Sequence, residues 1–521
     1  MPALLVSMAN WTFFSKVEEV YPWAQGNAGF LISLAFFHYS LLALLMIIFS
    51  LFMSARIAAS VFILLAATVG YFTDQLGVMI NTDMIRTVFE TNIAEAADLL
   101  NAGFIWHVLF RGLIPVALLW LVPFQKSGVL RELKFNALAA VSAIAVMLLS
   151  MLPLGGHYAS FFRAHKPLRN YMNPTASILS MGQYIKQEMQ AAKSHNFTNL
   201  PGKLARFDVD KHPELIIMVV GESARADHFS LNGYSRQTNP NLEMEKNLIN
   251  YSNVSSCGTL TAISVPCMFA HGGREKFDAD SSSYIENALD FLQRSGVSVL
   301  WRDNNSDSKG AADRVTYEDY KTPEINHDCD TECRDTGMLE GLQEYINRQE
   351  GDLIIVLHSM GSHGPAYFKR YPKEFERFTP VCKTLELSQC TDEEIINAYD
   401  NTIVYTDHFL SKVIELLKYN TPKYEAVMFY VSDHGESLGE SGLYLHGMPY
   451  MIAPDAQTKV PIIIWASTAS DIDIERSAGL KDVKNSHDAV FDILVTLFEI
   501  QSDLKPSASP LVYLQNESGA H

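Results

Sequence analysis

The first 162 residues contain long stretches with no charge at all, and this limits what the chain can fold into more than any other feature. Residues 28–53, 57–73 and 135–162 carry no Asp, Glu, Lys or Arg, and residues 99–125 are interrupted only by Arg111. Each stretch is near the roughly 20 residues that cross a bilayer as a helix. Soluble proteins rarely bury a helix on every side, so the pattern predicts four membrane helices. The loops orient them. Arg56 lies between the first two runs, and Lys126, Arg131 and Lys134 lie between the last two. The 74–98 loop is acidic, with Asp74, Asp83, Glu90, Glu95 and Asp98 against Arg86. Basic loops stay on the cytoplasmic side, so the acidic loop and everything after residue 162 are expected outside. Residues 1–15 are apolar but too short to span, and they lack the basic start of a signal peptide. They read as the tail of a further helix or as an interfacial segment.

The rest of the 521 residues has a different character. The first 160 residues hold seven basic and eight acidic side chains, so all but one unit of the net −18 charge lies beyond them. Such a surface repels a phosphate backbone and argues against nucleic acid as a partner. Residues 163–212 are polar and mixed, and read as a linker with helical turns. This gives a membrane domain at 1–162, a linker at 163–212 and a soluble domain at 213–521. The six cysteines all fall in the soluble domain as neighbouring pairs: Cys257 with Cys267, Cys329 with Cys333, and Cys382 with Cys390. Six cysteines allow fifteen connectivities. Neighbour pairing is the simplest, and disulfides place the domain in an oxidising compartment.

Short apolar runs bounded by turns follow at Leu215–Gly221, Val297–Trp301, Leu353–His358, Ala426–Val431 and Val460–Trp465. Helical patterns lie between them, as at Ile395–Leu417. Alternation of this kind predicts an α/β domain with a largely parallel sheet, whose ligands sit beyond the C-terminal strand ends. The chemically active residue types fall at those ends. One run leads into Glu222-Ser223-Ala224-Arg225, another into Ser432-Asp433-His434-Gly435-Glu436, and a third into Ser359-Met360-Gly361-Ser362-His363. Glu, Asp and His are the ligands of zinc or a similar ion. Any one of them alone is as readily a helix cap or a turn residue. Hydroxyls crowd the segment from Ser255 to Phe269. A helix start there favours negative charge, and a metal would lower a hydroxyl's pKa. On residue chemistry alone Ser256, Thr259 and Thr261 are all open.

Several segments carry a resemblance. They are Val219–Tyr234, the CGTLTAISVPCMF segment at 257–269, WRDNNSDSKG at 301–310, HSMGSHGPAYFKRYP at 358–372 and SDHGESLGESGLYLHGMPY at 432–450. Together, in this order, they closely resemble the lipid A phosphoethanolamine transferases, which include the mobile colistin-resistance enzymes. That family lies within the alkaline phosphatase and sulfatase superfamily. The resemblance implies an N-terminal α-helical membrane domain in a Gram-negative inner membrane and a periplasmic α/β/α sandwich of alkaline phosphatase type. It implies transfer of phosphoethanolamine from phosphatidylethanolamine to a lipid A phosphate, with polymyxin resistance as the result. Glu222, Thr259, Asp433 and His434 match the ligands of one catalytic Zn2+, with Thr259 also the nucleophile that carries the covalent intermediate. His363 and His446 match residues that bind substrate phosphate or a second zinc during turnover. Ser306 and Lys309 match substrate contacts near the metal, with Lys309 also counted in the catalytic set. Thr91 and Glu95 match donor contacts. Thr87 stands where the family usually has Asn, and Ser223 where it usually has Thr. The family has five spans, so the short N-terminus departs from it. A monomer is expected. The same chemistry on a core sugar or periplasmic glucan, a glycerol phosphate donor head group, and a non-catalytic lipid-binding sensor are the alternatives.

Overall fold

The computed structural model describes residues 1–91, 93–123, 128–191, 197–202, 204–206 and 212–515. Lys126 and the Glu95 side chain lie outside the described residues. The chain divides into two compact units. Residues Met1–Ile85, Ala94–Lys186 and Ser441–Leu443 form one, and Arg86–Ile93, Gln187–Glu440 and Tyr444–His521 form the other.

The first unit is helical. Four helices among the described residues are long and apolar enough to cross a membrane: α1 (Ala28–Ser50), α2 (Ala55–Leu76), α3 (Ala102–Leu121) and α4 (Leu130–Arg163). Their ends follow local chemistry. The Ser54 hydroxyl accepts the Ile57 N–H at the start of α2, and Gly77 closes that helix at φ 71°. The Asn101 side chain accepts the Phe104 N–H at the start of α3. Such caps satisfy amides that the helix leaves bare. Aromatic rings fill the interior, with Phe13, Phe30, Phe62 and Phe161 fully buried. Leu118, Leu138 and Leu149 stay exposed, which suits a helix facing lipid. Residues 1–15 form two short helices, Pro2–Met8 and the beginning of Trp11–Val20. Helix α5 (Thr175–Ala191) belongs to this unit as far as Lys186.

The second unit is built on an eight-stranded sheet. Its strands are β1 (Glu214–Gly221), β2 (Leu248–Ser255), β3 (Ser298–Asp303), β4 (Thr316–Asp319), β5 (Leu353–His358), β6 (Glu425–Ser432), β7 (Lys459–Ala466) and β8 (Asn485–Ser486). The order across the sheet is β8-β2-β7-β6-β1-β5-β3-β4. Strands β1, β5 and β6 are buried at every position, because helices cover both faces of such a sheet. The sheet is mixed rather than parallel throughout, since β7 runs antiparallel to β2 and β6.

Register positions the site. Gly221 pairs with Ser432, Val220 with His358, and Asp303 with His358. Four parallel strands therefore end at one edge, and the residues that follow them meet there. Gly221 is required at this point, because a Cβ would lie 2.5 Å from the Tyr430 hydroxyl. Ser223 then turns the chain at φ 55°, a conformation that a non-glycine residue adopts at a cost. Two helices matter below: α6 (Thr261–Phe269) and the long α7 (Asp392–Asn420), which starts with a capping box between Thr391 and Glu394.

All three neighbouring cysteine pairs are bridged, as Cys257–Cys267, Cys329–Cys333 and Cys382–Cys390. The first encloses the start of α6. Replacing Cys257 and Cys267 together by Ala is expected to destabilise this unit by about 2–3 kcal/mol through the freed unfolded chain. A thermal melt of the purified protein measures it, and an unchanged midpoint would show that the bridge is not what braces α6.

Candidate metal centre and nucleophile

Glu222 follows β1 and is fully buried, as are Asp433 and His434 after β6. The Asp433 Oδ1 accepts the Ser223 N–H at 3.1 Å and the His434 N–H at 2.7 Å. Its Oδ2 has no hydrogen-bond partner although it is buried. That oxygen lies 3.2 Å from His434 Nε2, which is 3.6 Å from Glu222 Oε1. The His434 ring is held by its other nitrogen: Nδ1 lies 2.9 Å from the Gly435 carbonyl, which can only accept. The Nδ1 N–H therefore donates to that carbonyl, which turns Nε2 towards the two carboxylates.

The electrostatics point the same way. Burial alone would raise the Glu222 carboxyl, but the fields of His434, His363 and His446 reverse this and hold it well below the usual carboxylate range. Burial, and then the charge of Glu222, push Asp433 far above its usual value. Two carboxylates in one dry pocket cannot both ionise without a cation between them. Glu222, His434 and His446 present ligand atoms that all lie within 4.8 Å of one another. A bare buried carboxylate oxygen, an imidazole lone pair and a second carboxylate are a donor set that could hold a divalent ion.

The three hydroxyls left open by the sequence separate here. The Ser256 Oγ donates to the Gly258 carbonyl at 2.6 Å. The Thr259 Oγ1 donates to the Met448 carbonyl, also at 2.6 Å. Thr261 faces the acids, with Oγ1 3.2 Å from Glu222 Oε2 and 3.3 Å from His434 Nε2. Thr261, rather than Thr259, is thus the hydroxyl that stands beside Glu222 and His434. The reason is local: Leu260 is extended and caps α6, so the helix begins at Thr261. A hydroxyl in that first turn stands at the positive end of the helix. The helix is fixed from two sides, since Ser264 Oγ donates to the Asp433 carbonyl at 2.5 Å and the Cys257 N–H reaches His487 Nδ1 at 3.1 Å.

His446 stands close to this group rather than in a separate place, with its ring centre 4.2 Å from that of His434. Its Nδ1 is 2.7 Å from Glu436 Oε2, and the Tyr367 hydroxyl donates to Glu436 Oε1 at 2.7 Å. His363 lies beside His446, with ring centres 5.6 Å apart, and its buried Nδ1 has no hydrogen-bond partner. Asn305 donates to Glu222 Oε2 at 3.0 Å and to the Ser359 carbonyl at 2.8 Å. Asn305 and Glu436 were not singled out from the sequence, although both lie inside the motifs that carry the resemblance.

Ser306 is buried and its N–H donates to Asn305 Oδ1 at 2.6 Å. Lys309 lies just beyond, with its ammonium on the carbonyls of Ser306 at 2.8 Å and Glu90 at 3.0 Å. Lys309 thereby ties the site to segment Arg86–Ile93. In that segment Thr91 Oγ1 donates to the Thr87 carbonyl at 2.6 Å.

Comparison with known proteins follows the same division of the chain. The family profile described as Sulfatase matches residues 214–500, and the profile described as Phosphoethanolamine transferase EptA/EptB matches residues 38–189. Phosphatidylethanolamine transferase Mcr-1 of Escherichia coli is 42% identical over 516 residues, which cover 96% of this chain and 94% of that protein. Phosphoethanolamine transferase EptA of Escherichia coli K12 is 35% identical over 521 residues, covering 96% and 93%. The solved structure of the integral membrane protein lipooligosaccharide phosphoethanolamine transferase A (EptA) from Neisseria meningitidis superposes with a TM-score of 0.90 at 33% identity, over 96% of this chain and 94% of that one. A helical membrane unit joined to an alkaline phosphatase-like unit, with this degree of identity along nearly the whole length, means that the chain belongs to the phosphoethanolamine transferase family.

Proposed function

We propose that this protein transfers phosphoethanolamine from phosphatidylethanolamine to a phosphate of lipid A, through a covalent ester on Thr261. The observation that carries the reading is the Thr261 hydroxyl, buried at the start of α6 between Glu222 and His434. Glu222, Asp433, His434 and Thr261 would hold a Zn2+, which lowers the hydroxyl's pKa and neutralises charge on the phosphoryl oxygens.

In the first step Thr261 Oγ1 attacks the donor phosphorus, and the bond from phosphorus to the diacylglycerol oxygen breaks. Glu222 Oε2 is the acceptor nearest the hydroxyl proton. The leaving diacylglycerol oxygen takes up one proton. His446 is placed for that exchange, since its Nδ1 is held by Glu436 and its ring lies against that of His434. In the second step an oxygen of the acceptor phosphate attacks the same phosphorus and the Thr261 ester breaks. The proton given up by the acceptor phosphate restores the hydroxyl. The covalent stage divides one hard transfer into two easier ones. His363 and Ser306 line the approach as phosphate and head-group contacts.

The charge pattern of the loops and the three disulfides support an inner-membrane location with the second unit in the periplasm. The membrane helices keep both lipid substrates at the surface where the protein resides, and the reading requires no second copy of the chain.

Incubating the purified protein with phosphatidylethanolamine should add one phosphoethanolamine, and peptide mapping should place it on Thr261. In a susceptible Gram-negative host, expression should raise polymyxin tolerance, because an added ammonium offsets the lipid A phosphate that cationic peptides seek. The Thr261→Ala protein should give no tolerance. Unmodified lipid A in cells that contain folded, metal-loaded protein would move the acceptor to another envelope glycan.

A further inference from the structure

A cavity of about 750 Å³ opens in the second unit, beside the reactive group rather than on it. Its wall includes Ala262 of α6, Lys309, Tyr317 and Asp319 of β4, and Arg86 with Glu90. Ala262 follows Thr261 directly. Strands β5, β3 and β4 stand in that order beyond β1. Neighbouring strands are about 4.8 Å apart, so the β3–β4 end lies roughly 10–15 Å from the β1 end that carries Glu222. The volume falls within the range of sites for small organic groups.

The lining says what kind of group fits. Four carboxylates (Glu90, Asp307, Asp313 and Asp319) face three cations (Arg86, Lys309 and Lys321). Those cations are engaged. Arg86 pairs with Asp280 and Glu188, Lys321 lies 3.2 Å from Asp319, and Lys309 is held by two carbonyls. A phosphate inside this cavity would meet net negative charge with no free donor cation. A polyol fits better. Carboxylates and the Ser283 hydroxyl can bond sugar hydroxyls, and the exposed Tyr317 offers a flat apolar face with a polar tip.

We propose that this cavity holds a sugar ring of the acceptor, with the ring's phosphate directed past Ala262 towards Thr261. The inference rests on the transferase reading above. The acidic lining then has a steering role: it repels the phosphate from the cavity and leaves it towards the metal centre, so the ring binds one way round.

The two half-reactions test this on the full-length protein. Adduct formation from phosphatidylethanolamine reads the donor step. Transfer from the adduct to lipid A, and to its deacylated diphosphorylated disaccharide, reads the acceptor step. Tyr317→Ala and the isosteric Asp313→Asn are expected to form the adduct at the wild-type rate within about twofold, while the apparent KM for both acceptors rises about tenfold or more. Unchanged KM values in both variants would overturn the proposal. So would slowed adduct formation, which would assign the cavity to the donor head group. An effect present with lipid A but absent with the deacylated disaccharide would also overturn it, and would assign the space to an acyl chain. If the wild type itself forms no adduct, the transferase reading fails instead, and the two failures remain distinct.

Discussion

Thr261→Ala is expected to abolish transfer, with a loss on the order of 10³-fold or more, while the protein still folds and inserts. The hydroxyl that would form the ester is gone, yet only that oxygen, with its contacts to Glu222 and His434, and one methyl group are lost from the fold. Thr259→Val is the comparison that decides the assignment. That hydroxyl only donates to the Met448 carbonyl, so its loss affects the shape of the loop and not the attacking atom. Activity of Thr259→Val is expected to fall far less, by about tenfold or under. The measurement is single-turnover adduct formation with short-chain phosphatidylethanolamine. The reverse order, with Thr261→Ala active and Thr259→Val dead, would return the nucleophile to Thr259.

The second large effect concerns the metal. Chelation is expected to stop turnover and added zinc to restore it, and Glu222→Gln or Asp433→Asn is expected to lower bound zinc in elemental analysis. Stability gives a further sign that activity alone cannot. Without metal the wild type buries Glu222 beside Asp433, and burial together with that neighbouring charge raises Asp433 far above its usual range. Asp433→Asn removes this conflict, so its metal-free form should melt at or above the wild type. Zinc at about a hundred times its dissociation constant stabilises a binding protein by about 2.7 kcal/mol. The wild type should therefore gain on zinc addition and Asp433→Asn should not, which reverses their order. Equal shifts in both proteins would remove Asp433 from the ligand set.

Much of this was legible in the sequence where a pattern was long or strongly apolar. The charge-free runs located α1 to α4, and strands β1, β5, β6 and β7 lie within two residues of the predicted runs because each is buried on both faces. Three strands left no such trace, β8 being only the two residues Asn485–Ser486. β2 reads LINYSNVS and buries only some of its positions, and β4 reads TYED at the sheet edge. Their strand state comes from pairing with a neighbour, which periodicity does not record. Direction was hidden too, since β7 is as apolar as the parallel strands of the sheet but runs antiparallel to β6. In the site, residue types at strand ends marked Glu222, Asp433 and His434. The choice between Thr259 and Thr261 depended on where α6 begins, which a resemblance two residues wide does not resolve. Asn305 and Glu436 act through other side chains, so nothing about their own type set them apart.

The common polarity of the parallel strands has a practical side. The opposite rim, where β5 and β6 begin, is reached by the exposed turns at Arg348–Gly351 and Pro422–Lys423. All six cysteines are bridged, so the protein has no thiol of its own to compete for a label. A fluorophore attached through Glu350→Cys would ride on the far rim of the sheet, a full strand length from Glu222. The protein therefore comes with a built-in handle for single-molecule work, immobilisation or imaging in cells, on the side where its chemistry does not take place.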